Sequence, residues 1–179
     1  MRQPLHYACA FGASEDVLWV LVEAHPDAIT VQDSRKRTPL HFALSNAGSK
    51  TVPAAVRLLL SINPSIVNSI EGSPLPLRVL AEYSLTLRGF SRVKMEKRQL
   101  VRRCLEYLLK ADPKPTADFF TALQSLPDWL QESAVVMPEV QKLLNKRIAQ
   151  RFPAGVLMTD FLIRKSTTES AWTSRRIRC

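Results

Sequence analysis

Glycine is scarce in this chain: five residues in 179, with no two adjacent. That leaves no material for a Gly-rich phosphate loop, and neither G-x-S-x-G nor a D-x-D-type cluster occurs. Cysteine is equally sparse. Cys9, Cys104 and Cys179 are odd in number, far apart and without C-x-x-C spacing. This predicts reduced thiols and no disulfide framework, hence a cytoplasmic or nuclear protein rather than a secreted one. The three histidines, His6, His25 and His41, include no pair at metal-ligand spacing. The apolar run at 152–163 is about a dozen residues long and contains Asp160, short of the roughly 20 residues that span a bilayer. Pro4 and His6 interrupt any apolar leader at the N-terminus. These absences lead us to expect no enzyme active site, no metal and no cofactor.

What the chain has is a repeat. Residues 3–8 read QPLHYA and residues 38–43 read TPLHFA, thirty-five positions apart. Gly12 follows the first block and Gly48 the second, and each is followed by an apolar stretch, VLWVLVEAHP at 17–26 and VRLLLSINP at 56–64. Pro4 and Pro39 suit the first turn of a helix, where a missing amide hydrogen is harmless, and Thr38 is a good N-cap before Pro39. Gly12 and Gly48 are expected to close these helices in a left-handed conformation. Each unit therefore predicts a helical hairpin, and hairpins that cannot bury their apolar faces alone stack into arrays.

A further step along the chain reaches SPLPLRVLAEYS at 73–84, where Ser73-Pro74-Leu75 aligns with Thr38-Pro39-Leu40 and Pro76 stands in the place of the histidine. The matching second helix, RQLVRRCLEYLLKADP at 98–113, arrives late, which predicts an insertion over residues 84–98 mapping to a loop. Residues 116–134 read as a degenerate fourth unit. Residues 137–153 form an amphipathic basic pattern expected to cap the array, within a C-terminal helical segment at 135–163. Residues 164–179 have the composition of a disordered tail.

The TPLHFA and QPLHYA blocks, the glycines behind them and the V-x-x-L-L second helices resemble the ankyrin repeat. The match covers residues 38–67 and 3–33 and degenerates at SPLP, 73–76. The resemblance implies an all-α solenoid of about three to four hairpins, with units near 3–37, 38–72, 73–115 and 116–134. In that family the histidine bridges neighbouring repeats, so His6 and His41, with Gly12, Thr38 and Pro39, are expected to be structural. The resemblance also implies a protein partner met by loop tips and first helices along a concave face. On this chain that face is Phe11, Ser34, Arg35, Arg37, Ser45, Asn46, Glu71, Ser73, Glu82 and Tyr83. Asp33 matches the family's loop aspartate, whereas Lys36 and Glu71 stand where the family prefers glycine, which predicts reshaped loops.

Charge supplies the alternatives. The net charge of +9 is absent from residues 1–75, where six basic residues meet six acidic ones, and lies entirely downstream. Arg88, Arg92, Lys94, Lys97, Arg98, Arg102 and Arg103 form a candidate patch for an anionic nucleic acid or lipid surface. A third reading makes the chain a cytoplasmic ankyrin portion of a larger membrane protein such as a channel. Cys104 lies on the apolar stripe of its helix and is expected to be a buried, unreactive thiol.

Overall fold

A computed structural model describes residues 2–70, 72–87, 91–114 and 116–135, together with Pro138 and Lys142. Eight helices and no strand occur among the described residues, so the protein is all-α there: α1 (Pro4–Phe11), α2 (Glu15–Ala24), α3 (Pro39–Leu44), α4 (Val52–Ile62), α5 (Pro76–Leu85), α6 (Arg92–Lys110), α7 (Ala117–Gln124) and α8 (Asp128–Val135). Of residues 136–179, only Pro138 and Lys142 are described. Apart from those two, the expected helix at 137–153 lies outside the described residues, and so does the expected tail at 164–179.

The helices form two rows. Odd-numbered helices pack in succession, α1 on α3, α3 on α5 and α5 on α7, and even-numbered helices do the same from α2 to α8. Each hairpin therefore contacts its neighbours in sequence, as expected for a chain that buries apolar surface only by stacking. The core runs between the rows: Leu5, Leu18, Leu40, Leu44, Leu59, Leu77, Leu80, Leu105, Leu108 and Leu130 are almost wholly buried. Each such leucine contributes about 2 kcal/mol relative to an exposed one.

Local sequence explains the helix ends. Proline occupies the first turn of α1, α3, α4 and α5, where its fixed φ suits the helix and its lacking N–H costs nothing. Gly12 closes α1 at φ 69°, and its N–H reaches the Ala8 carbonyl. A Cβ there would also meet the Thr51 hydroxyl at 2.8 Å. Second helices end at His25-Pro26 and Asn63-Pro64, each followed by a short 3-10 turn, Pro26–Ile29 and Pro64–Val67.

Three sequence expectations are corrected. Gly48 does not close α3 in a left-handed conformation: α3 stops at Leu44 with Ser45 in right-handed helical geometry, and only Gly12 and Gly72 have positive φ among the described glycines. Gly48 instead leaves room for a neighbouring hairpin, since a Cβ there would displace the Tyr83 hydroxyl and press on the Lys97 side chain.

The third hairpin is out of step by two residues. Helix α5 begins at Pro76, with Leu75 as N-cap, so Pro76 is the counterpart of Pro39 and does not replace the histidine. The histidine's place falls to Arg78, which is exposed. The shift follows from burial. Starting at Pro76 directs Leu77, Leu80, Ala81 and Ser84, spaced i, i+3, i+4, i+7, into the core.

The insertion is mostly helix, not loop. Ser84 and Leu85 end α5, and Arg92 to Arg98 form the first two turns of α6, which reaches 19 residues against 11 for α4. Arg88 lies outside the described residues. The extension is anchored by Arg98, whose guanidinium donates to the Leu87 carbonyl at 2.9 and 3.2 Å and lies 4.9 Å from the Trp129 ring.

Candidate binding face

The two histidines bridge hairpins in the same way. The amide N–H of Thr38 donates to His41 Nδ1 at 3.0 Å, which leaves Nε2 as the protonated nitrogen, and it donates to the Pro74 carbonyl at 2.7 Å. His6 Nδ1 likewise accepts from the Gln3 amide at 3.1 Å, and Nε2 donates to the Arg37 carbonyl at 3.3 Å. Each imidazole thus joins the N-terminus of its own helix to the residue before the next hairpin's N-cap. Burial depresses the pKa of both, and the carbonyl hydrogen bonds that favour the charged form do not overcome it. Neutral rings with both nitrogens committed have no lone pair left for a metal or a substrate proton.

Asp33 organises the loop between the first two hairpins. Its Oδ1 accepts the backbone N–H groups of Arg35 and Arg37 at 2.8 and 2.9 Å, and its Oδ2 accepts Nη2 and Nε of Arg37 at 2.9 and 3.2 Å. Burial would raise the pKa, but the hydrogen bonds from Arg37 and the Arg35 amide outweigh it and hold the carboxyl down at about 2. Arg37 is therefore part of the fold, with its guanidinium 4.5 Å from the centroid of Phe42. Lys36 takes φ 60°, a left-handed conformation that costs a non-glycine residue about 1 kcal/mol. The tightly braced loop sustains that strain and holds Ser34 and Arg35 out in solvent.

The expected face divides into free and engaged residues. Phe11 is 83% exposed, the most open large apolar side chain among the described residues. Ser34, Arg35, Ser45 and Glu82 are also exposed. Asn46 donates towards the Ala10 carbonyl at 3.5 Å, and Tyr83 is half-buried against the core and Gly48, so both serve the contact between hairpins. Ser73 bonds the Ile70 amide through its hydroxyl, and Glu71 lies outside the described residues.

The junction between the third and fourth hairpins is different. With Arg78 in the histidine's place, no imidazole bridges α5 to the next unit, and a groove of about 570 Å³ opens between α5, α7 and the loop before α5. Arg78, Ala81, Glu82 and Leu85 line one wall, Asp118, Thr121, Ala122 and Ser125 the other, and Ser69 and Ser73 the end. Arg78 pairs loosely with Glu82 at 3.5 Å. The two-residue register shift concealed Arg78 and the α7 residues from sequence reasoning. The only signal was the i, i+3, i+4, i+7 spacing that starts at Leu77.

The described residues of the basic patch all lie on α6 and take different contacts. Arg92 pairs with Glu96 and Arg102 with Glu106, each at i,i+4, while Arg98 is bound to Leu87 and Lys97 packs over Gly48. Arg103 is exposed, and Lys94 is partly buried. Cys9 and Cys104 are buried free thiols, and burial pushes both up to about 12, so neither is a nucleophile at neutral pH. Among the described residues no group of three or more His, Cys, Asp and Glu could hold a metal, and no helix is long and apolar enough to cross a membrane.

No protein-family model, no curated protein and no solved structure matches the chain. The functional reading therefore stands on its own residues.

Proposed function

We propose that this chain is an ankyrin-repeat scaffold that works by binding another protein, without catalysis of its own. The contact runs along the row α1, α3, α5, α7 and the loop tips beside it. The single observation that carries the reading is the repeated imidazole bridge: the two residues most suggestive of chemistry are spent on holding hairpins together, which leaves the surface as the means of recognition. The stiff Asp33 loop presenting Ser34 and Arg35, and the groove where the bridge lapses, are the features a partner would meet. Buried free cysteines accord with a cytoplasmic or nuclear setting. The pairing of Arg92 with Glu96 and of Arg102 with Glu106 reduces the free positive charge on α6 and favours a protein partner over a nucleic acid or anionic lipid.

The test is affinity capture with wild-type chain and an Arg35→Glu/Glu82→Lys variant. Both positions are exposed, so the helical circular dichroism should be unchanged while the captured partner is lost. A partner retained in full by the folded variant would reject this face.

A further inference from the structure

Imidazoles span two junctions between successive first helices: His6 reaches from α1 to the Arg37 carbonyl before α3, and His41 from α3 to the Pro74 carbonyl before α5. At the next junction Arg78 holds the histidine's place with its side chain 71% exposed, and the groove of about 570 Å³ lies between α5 and α7. Its charge is unbalanced. On the α5 wall Arg78 and Glu82 make a loose pair at 3.5 Å, largely in solvent. On the α7 wall the exposed Asp118 carboxylate has no ion pair or hydrogen bond among the described residues. Glu82 and Asp118 thus stand against Arg78 alone, a local charge of −1 in a chain of +9. The end of the groove also has main-chain groups to spare: the N–H, carbonyl and hydroxyl of exposed Ser69 have no hydrogen-bond partner among the described residues.

We propose that this groove takes a short extended segment of the protein partner, with a lysine or arginine side chain held by Glu82 and Asp118. This occupant rests on the chain being the protein-binding scaffold proposed above, and it names what one part of the binding row selects. Size sets the length of the segment. An α-helix about 10 Å across takes ~420 Å³ per turn of 3.6 residues, so the groove holds about five residues. That is too few for a helix to hold its own shape. An extended chain, by contrast, leaves its N–H and C=O groups free to meet those of Ser69. Charge sets the side chain. An acidic segment would meet two carboxylates, whereas a basic one cancels the excess and is steered to the groove. Arg78 competes for Glu82, but a pair this long and exposed holds the carboxylate weakly and leaves it available to the partner.

A displayed library of random dodecapeptides, selected on the full chain, should yield sequences that share a lysine or arginine at one position. Fluorescence anisotropy of one such labelled peptide then gives the affinity. Asp118→Asn and Glu82→Gln should each weaken it about fivefold. Arg78→Gln removes the cation that competes for Glu82 and should strengthen it about twofold. All three positions are exposed, so the circular dichroism should not change. A selection without a basic position overturns the proposal, as does a peptide indifferent to Asp118→Asn. Weaker binding by Arg78→Gln overturns it too, because it marks an acidic occupant. If Asp118→Asn loses helical signal, Glu82→Gln on the other wall decides by the same readout. A captured partner lost with Arg35→Glu but indifferent to Asp118→Asn and Arg78→Gln would overturn the groove while the scaffold reading stood.

Discussion

Replacing His41 with alanine is expected to lower the free energy of unfolding by about 3 kcal/mol, measured by urea denaturation. The ring is 2% exposed and joins the second hairpin to the third, so its loss leaves the Thr38 N–H and the Pro74 carbonyl without these partners and opens a void. His6→Ala should cost less, because its bond to the Arg37 carbonyl is longer, 3.3 against 2.7 Å. The sign of the pH dependence follows from burial. Both folded-state values lie below the ordinary histidine value of 6.5, so the neutral rings' contribution is complete above that pH. As pH falls below 6.5 the unfolded chain takes up protons first, and stability declines. His41→Ala should flatten that decline along with lowering the plateau. An alanine variant as stable as wild type would show that the bridge carries no load.

Asp33→Ala is expected to cost a similar amount, about 3 kcal/mol, and to act through the loop. Four donors converge on one buried carboxylate, and removing it leaves two backbone amides and the Arg37 guanidinium without their acceptor, next to the strained Lys36. Asp33→Asn should cost less, because an amide oxygen can still accept the Arg35 and Arg37 amides. A carboxyl held at about 2 against the ordinary 3.8 stabilises the fold above pH 4, and that contribution is lost as pH falls from about 4 towards 2. The histidine effect begins nearer pH 6.5, so the two acid losses are separable. Denaturant midpoints of wild type and Asp33→Asn measured from pH 7 to 2 check this: the variant curve should lack the lower step.

Much of this architecture could be read from the chain because the first two hairpins state their rules locally. Pro4 and Pro39 start helices, Gly12 ends one, and the Pro-Leu-His block itself recurs thirty-five positions on. Asp33 was legible as a loop residue, although its bond count was not, since that depends on how the backbone of 35–37 curls around it. The third hairpin resisted because Ser-Pro-Leu-Pro offers two prolines for one helix start. The choice between Pro74 and Pro76 is made by which leucines reach the core, a matter of packing and not of local preference. From that two-residue shift follow the loss of the histidine bridge, the exposure of Arg78 and the groove against α7. The contact of Tyr83 with Gly48 was equally hidden, because it joins residues 35 apart in the chain through an interface between hairpins. The late second helix predicts a loop over 84–98 because insertions in repeat arrays map to loops, yet charged residues at i,i+4 spacing also stabilise an exposed helix, as Arg92 with Glu96 does.

The central claim is that the repeated Pro-Leu-His braces a stack of helical hairpins, its two histidines held as neutral bridges. Nitrogen NMR of the imidazole rings across a pH titration tests it most directly. The account predicts that His6 and His41 both hold their proton on Nε2 and stay neutral to well below pH 6.5. Titration of both rings at the ordinary value, or mixed tautomers at neutral pH, would contradict it.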